Sequence, residues 1–93
     1  MEFEWDDRKA ARNLKDHGID FEDAKFVFCD PGRIETYDGR EDYGEDRWVT
    51  IGLVWSALVY VVYTVRGDDE NIRLISARKA DGNEAKQYRE ANA

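Results

Sequence analysis

Two apolar runs near the end of the chain, each leading into an arginine, dominate the hydrophobic pattern of the sequence. The first begins at Leu58 and ends at Arg66, and the second begins at Ile72 and ends at Arg78. Both runs are rich in β-branched and aromatic residues, and a Gly-Asp-Asp-Glu turn at 67–70 separates them. This pattern predicts an antiparallel hairpin.

The first thirty residues predict one short strand followed by two helices. Residues 3–5 alternate apolar and polar positions, as a strand does, and a helix then runs from Asp7 to about Asp16. Gly18 is the expected stop signal of this helix, and residues 21–28 predict a second, short helix. The apolar stripe of the first helix, which should face the core, comprises Ala10, Leu14 and His17.

The rest of the chain predicts two more strands and a last helix. Residues 33–37 and 48–55 have strand character, residues 38–46 are a charged loop, and Asp81 or Asn83 caps the final helix. The predicted order is β-α-α-β-β-β-β-α. It indicates an α+β fold with a small antiparallel sheet of about four to five strands. The two N-terminal helices should cover one face and leave the other as a working surface.

Composition limits what kind of protein this is. The 93 residues predict one domain over 1–93, and 42% apolar content is enough for a core. No run approaches the roughly 20 apolar residues of a membrane span, and the acidic start of the chain lacks a signal-peptide pattern. The single cysteine, Cys29, excludes an internal disulfide. We therefore expect a protein of the reducing cytoplasm without a membrane partner.

The charge is negative overall but unevenly distributed. The formal net charge of −7 argues against a general nucleic-acid coat, since phosphate neutralisation drives non-specific binding. Residues 57–93, however, carry six acids and six bases, so all the net negative charge lies before them. The last third can therefore hold a local basic site, and the acidic remainder suits a basic partner.

The two arginines that end the hairpin strands are the first candidates for chemistry. Guanidinium groups grip phosphate through paired donors and offset charge that develops in a transition state, so Arg66 and Arg78 would suit phosphate. The alternative is an ion pair with the acids of the turn. Thr64 and Ser76 each precede an arginine by two residues and share its face. Their hydroxyls would orient a substrate oxygen or satisfy a backbone group.

Four further residues are candidates for a role in chemistry, and for some of them a purely structural role is the alternative. His17, the only histidine, would act as a general acid or base or contact phosphate, or it would cap the last carbonyls of its helix. Arg47 follows two acids and is a phosphate contact or a solvated ion pair. Tyr88 could stack on a base or bond a phosphate. Lys79 points away from Arg78 if the strand continues.

Several chemistries are absent from the sequence. It has no Ser-His-Asp set with a nucleophile elbow, no Walker loop and no dinucleotide glycine pattern, and its acids lack metal-loop spacing. Metal-free attack by a ribose 2′-hydroxyl on its own phosphodiester fits what remains. That reaction needs positioning, charge stabilisation and modest proton transfer, which basic side chains supply without a cofactor.

Short motifs occur in a characteristic order along nearly the whole chain. They are Phe3-Glu4-Trp5-Asp6, Lys9, Asn13, Lys15-Asp16-His17-Gly18, Phe21-Glu22-Asp23-Ala24, Val27-Phe28, Asp30, Glu45-Asp46-Arg47, Gly52, Thr64-Val65-Arg66, the segment 72–80, Glu84 and Tyr88. No single motif is specific, but in this combination the sequence resembles the BrnT family.

The resemblance implies a type II toxin of a bacterial toxin–antitoxin pair with a RelE-like fold. Such a toxin is a metal-independent endoribonuclease that cleaves mRNA, free or ribosome-associated, and arrests translation. The implied partner is a BrnA-type antitoxin with a ribbon-helix-helix domain, and only the complex would bind DNA. The alternative is a non-enzymatic antitoxin-binding module or an orphan, catalytically degenerate homologue.

The resemblance also implies site residues. Arg66 and Arg78 would clamp phosphate, and His17 would transfer a proton with Tyr88 assisting. The residues expected to contact the substrate are Lys15, Arg47, Thr64, Ser76 and Lys79.

Overall fold

The computed structural model describes residues 1–39, 44–67 and 71–93, and its elements follow the predicted order. Parts of the predicted loop and of the hairpin turn, residues 40–43 and 68–70, lie outside the described residues. The α+β class is confirmed. The elements are β1 (Glu2–Glu4), α1 (Asp7–His17), α2 (Phe21–Ala24), a 3₁₀ helix (Lys25–Cys29), β2 (Ile34–Asp38), β3 (Arg47–Val54), β4 (Ala57–Arg66), β5 (Asn71–Lys79) and α3 (Gly82–Ala91).

The five strands form one sheet in the order β1-β5-β4-β3-β2. Strands β2 to β5 form the predicted antiparallel meander. The sheet is mixed rather than purely antiparallel, because β1 pairs with β5 in parallel. The chain leaves β1 through two helices and three strands before β5 returns along the same direction, so this pair needs no tight turn.

A bulge in the hairpin decides which arginines share a face. Val62 pairs with Ser76, but Tyr63 pairs with Leu74, so β5 contains one extra residue at this point. Arg78 pairs with Tyr60, which lies six residues before Arg66 on β4 and therefore on the same face. The two hairpin arginines share a face but stand at opposite ends of it, about 20 Å apart along the strand.

The core fills the space between the sheet and the segment formed by α2 and the 3₁₀ helix. Phe21 and Val27 from this segment are completely buried against Val61 of β4. Gly52 of β3 allows the close approach, since a Cβ there would stand 3.0 Å from Val27 Cγ2. This face of the sheet, the α2 face, is covered mainly by α2 and the 3₁₀ helix, whereas the prediction had both N-terminal helices covering it.

Helix α1 lies along the open edge of β5 and is held there by an asparagine. The Asn13 Oδ1 atom accepts from the Ala77 N–H at 3.0 Å, and its Nδ2 donates to the carbonyls of Ala77 and Ile19 at 2.8 and 2.9 Å. The predicted core-facing stripe was wrong at Leu14, which is 47% exposed, and at His17, which is also exposed. A sheet edge offers backbone polar groups, so the helix needs an amide there rather than an aliphatic side chain.

Helix α3 covers one end of the opposite face, so that face is only partly open. The Tyr88 hydroxyl donates to Asp30 Oδ2 at 2.7 Å, and the Asn92 amide donates to the Gly32 carbonyl at 2.8 Å.

Among the described residues, no helix combines the length and apolar character needed to cross a membrane.

Candidate functional site

Four arginines lie on the face of the sheet opposite α2, which we call the arginine face. Cross-strand pairing places two of them, since Arg78 stands opposite Tyr60 and Arg73 opposite Thr64. The other two each neighbour a strand residue that packs into the core, Trp48 or Val65, and so point the other way. The four residues are Arg47, Arg66, Arg73 and Arg78.

Each arginine of this face has a carboxylate within 4 Å. Several of these pairs are partly open to solvent, where an ion pair contributes little free energy. A phosphate can therefore replace such a carboxylate at low cost, because guanidinium binds both anions through the same paired donors. The pairs are Arg47–Glu45 at 3.6 Å, Arg66–Glu45 at 3.7 Å, Arg73–Glu4 at 3.1 Å and Arg78–Glu84 at 2.8 Å.

A groove of about 290 Å³ separates α1 from the arginine face, and most of its charge is positive. Helix α1 presents Lys9, Arg12 and His17 to it at helical spacing, and the sheet adds Arg47. Among the described lining residues, Asp16 is the one acid. We call this the basic groove; its lining is Lys9, Arg12, Asn13, Asp16, His17, Arg47, Ile75 and Ser76.

Three of the predicted site residues therefore meet in one place. His17, Arg47 and Ser76 line the basic groove together, although they come from α1, β3 and β5. Arg66 joins this group indirectly, because the Glu45 carboxylate lies between its guanidinium and that of Arg47. Lys15 is exposed on α1 and does not line the groove.

Two other predicted substrate contacts, Thr64 and Lys79, are not among the residues that line the basic groove. The buried Thr64 hydroxyl donates to the carbonyl of Asp46 at 2.6 Å, which is the backbone role of the two considered. Lys79 pairs with Val59, a core residue, and so points away from the arginine face as predicted. Its carbonyl accepts from Arg78 Nη1 at 3.2 Å.

Arg78 is the anchor of α3 on the sheet. Both its terminal nitrogens donate to the Glu84 carboxylate at 2.8 Å, and its guanidinium stacks on the Tyr60 ring at 4.0 Å from the centroid. The hydrogen bonds with Glu84 raise the pKa of Arg78. Sequence reasoning missed this partner; the available signal was that Glu84 stands three residues after the cap Asp81, as in a capping box.

Tyr88 is held away from the basic groove. Its hydroxyl donates to Asp30, and this bond raises the pKa of Tyr88. Asp30 also accepts from the Leu53 N–H at 2.8 Å. Leu53 lies six residues along β3 from Arg47, or about 20 Å, so Tyr88 and the basic groove are at opposite ends of the strand.

The Arg78–Glu84 pair predicts a dependence of stability on pH. Hydrogen bonds from Arg78 lower the pKa of Glu84 below its ordinary value of 4.5. Below that value the unfolded chain takes up the proton first, so the contribution of Glu84 is complete above about pH 5 and is lost as the pH falls further. We expect the free energy of unfolding, measured by urea denaturation from pH 3 to 7, to fall on this acid side.

The matched variants for this measurement are two glutamates of α3. Glu84→Gln should make the fall in stability below about pH 5 smaller. Glu90→Gln, at an exposed position of the same helix, should leave this fall unchanged. If the free energy of unfolding falls equally at acid pH in the wild type and in Glu84→Gln, the assignment of this pH dependence to Glu84 is wrong.

The fold and the basic groove together define a small α+β protein with a cationic site suited to phosphate. A family model described as ribonuclease toxin, BrnT, of type II toxin–antitoxin system matches residues 5–84. The chain therefore belongs to the BrnT family of ribonuclease toxins, as the sequence motifs indicated. This membership implies an antitoxin partner and an RNA target. No curated protein matches the chain. Among the described residues, no three His, Cys, Asp or Glu side chains are grouped to hold a metal.

Proposed function

We propose that the protein is an endoribonuclease that cleaves RNA in the basic groove without a metal ion. The observation that carries the proposal is the convergence of Arg12, Arg47 and His17 on one groove of a chain whose net charge is −7. Guanidinium groups stabilise the charge on a phosphate, and imidazole exchanges protons readily near neutral pH. The groove thus contains both groups that the reaction needs.

The proposed reaction is attack by the ribose 2′-oxygen on the adjacent phosphorus. The 2′-hydroxyl proton leaves, a P–O2′ bond forms, the P–O5′ bond breaks, and the departing 5′-oxygen takes up a proton. Arg12 and Arg47 hold the non-bridging oxygens as charge builds on them. His17 accepts the 2′-hydroxyl proton and, once protonated, donates a proton to the departing 5′-oxygen, while the Ser76 hydroxyl orients a substrate oxygen. The products are a 2′,3′-cyclic phosphate and a 5′-hydroxyl end.

The remaining predicted residues have supporting roles in this proposal. Arg66 receives a neighbouring phosphate by exchange with Glu45, and Lys15 adds positive charge on α1. Arg78 and Tyr88 act as positioning residues, because they hold α3 against the sheet. Lys79 would contact the RNA only where the RNA strand passes around the edge of β5.

We expect cleavage to persist in excess EDTA, because the proposed mechanism uses only side chains. The measurement is primer extension on a cellular mRNA incubated with the purified protein, with and without EDTA. The 3′ ends should be cyclic phosphates, which resist periodate oxidation. Loss of cleavage in EDTA and its return with Mg²⁺ would contradict the metal-independent mechanism.

The proposed partner is a BrnA-type antitoxin with a ribbon-helix-helix domain, acting in the bacterial cytoplasm. An acidic chain suits a basic partner, and DNA would be bound only by the complex, through the antitoxin. A short neighbouring reading frame with a ribbon-helix-helix pattern would support this pairing.

A second candidate function is a binding module that has no catalytic activity. The observation in its favour is that every arginine of the arginine face already has a carboxylate partner. Such a module would form a tight antitoxin complex but leave every RNA intact in the primer-extension assay. A catalytically degenerate homologue would behave in the same way.

A further inference from the structure

A second cavity, of about 400 Å³, opens on the α2 face at the end of the sheet where β3 begins and β4 ends. Its volume falls in the range of small-ligand sites. Three aromatic rings form much of its wall, and a guanidinium and two carboxylates are the charged groups. It is lined by Phe28, Arg33, Glu35, Asp46, Trp48, Tyr63, Val65 and Ile72.

The polar groups of this cavity are held in fixed positions. Tyr63 and Arg33 both donate to Glu35 Oε1, and the Arg33 guanidinium stacks on Phe28 at 5.0 Å from the ring centroid. Within the described part of the chain, the second oxygen, Oε2, accepts no hydrogen bond. The Glu35 side chain is 40% exposed. A ligand can therefore reach one carboxylate oxygen beside one guanidinium.

The protonation states of these groups are also defined. Burial opposes ionisation of Glu35, but the hydrogen bonds from Tyr63 and Arg33 outweigh it and lower the pKa of the carboxyl. Burial, together with the bond to Glu35, raises the pKa of Tyr63. At neutral pH the cavity therefore presents a carboxylate acceptor and a guanidinium donor, with Tyr63 a neutral donor to Glu35.

We infer that this cavity binds a guanine base of the RNA, an inference that rests on the proposed ribonuclease function. Guanine presents N–H donors directly beside a carbonyl acceptor, which matches a carboxylate beside a guanidinium. Adenine has no carbonyl for Arg33, and uracil offers Glu35 a single ring N–H where guanine offers two adjacent N–H donors. Cytosine has an amino group and a carbonyl, but like uracil it has a single ring, which offers less surface to stack on Trp48 than a purine does.

The cavity also adjoins the arginine face. Asp46 and Val65 line it, and the residues that follow them in the chain are Arg47 and Arg66. Because neighbouring strand residues point to opposite faces, one end of the sheet has a base pocket on one side and cations on the other. An RNA strand that crosses this end can place a base in the cavity and its phosphate on Arg66.

The inference is tested by titrating the full chain with GMP, AMP, CMP and UMP while following tryptophan fluorescence. We expect GMP to quench at a concentration about tenfold or more below that of the other three, since a good bidentate base contact gives discrimination of this order. Quenching should be lost in Trp48→Phe and kept in Trp55→Phe, whose ring is exposed on the β3–β4 turn. Equal quenching by all four nucleotides, or none, would overturn the inference.

A second variant tests the group that reads the base. Glu35→Gln keeps the size of the side chain but replaces a carboxylate oxygen by an amide, so the preference for GMP over AMP should fall about tenfold. If Glu35→Gln does not fold, the preference of the wild type among the four nucleotides is the test of the inference. Cleavage in EDTA without guanine preference would refute the cavity assignment only, and guanine preference without cleavage would refute the proposed function only.

Discussion

Arg47→Ala is expected to lower the rate of RNA cleavage by about 100-fold to 1,000-fold, the usual effect of removing one preorganised donor to a developing charge. Arg47 is the one arginine of the arginine face that also lines the basic groove, where His17 is found. Its guanidinium is already held near the site by Glu45, so it needs little reorganisation to meet a phosphate. The measurement is single-turnover cleavage of a labelled RNA.

The controls for this prediction separate charge from geometry. Arg47→Lys keeps the charge but loses the paired donors, so it should recover only part of the rate. Arg89→Ala removes an arginine on the exposed side of α3 and should cleave like the wild type. Thermal denaturation should show that Arg47→Ala remains folded. If both Arg47→Ala and Arg12→Ala cleave at the wild-type rate, the basic groove is not the site.

Asn13→Ala is expected to destabilise the protein by about 3–4 kcal/mol, because three hydrogen bonds end on this one buried side chain. Its loss leaves the N–H and C=O of Ala77 and the carbonyl of Ile19 without this partner, and a buried unsatisfied group costs about 1–3 kcal/mol. Single domains have about 5–15 kcal/mol in total, so this loss is a large share. Urea denaturation at neutral pH measures it.

Two neighbouring variants make the test specific. Asn13→Asp keeps an acceptor for Ala77 N–H but removes both amide donations, so it should also be strongly destabilising. Leu14→Ala changes a half-exposed residue next to it and should cost about 1 kcal/mol or less. An Asn13→Ala protein as stable as Leu14→Ala would show that the edge of β5 does not depend on this amide.

Most of the fold could be predicted from local patterns. Apolar alternation predicts β3 and the hairpin, acidic caps and Gly18 delimit α1, and the capping box starts α3. Each of these signals lies within a few residues of the element it defines, because propensity and capping are local interactions. The parallel pairing of β1 with β5 could not be predicted in this way, since nearly seventy residues separate the paired strands.

The types of residue in the candidate site could be predicted from the sequence. Which of these residues lie together in space could not. His17, Arg47, Arg66 and Ser76 were all candidates from sequence, but the participation of Arg12 and Lys9 depends on how α1 lies beside β5. The role of Arg78 depends on a partner from the next helix. The hairpin register, with its extra residue between Leu74 and Ser76, places Arg66 and Arg78 on one face and at opposite ends.

The element order, the caps, the hairpin and the family could all be read from the amino-acid sequence, because each depends on neighbours in the chain or on motifs in a fixed order. The tertiary structure alone decided which cations meet. Hydrogen bonds and ion pairs act over a few ångströms in space, so Arg47 and His17 can serve the proposed reaction together only because the sheet and α1 bring them to one groove. The same packing brings Arg78 to α3 and surrounds Glu35 and Arg33 with Phe28 and Tyr63 in a second cavity.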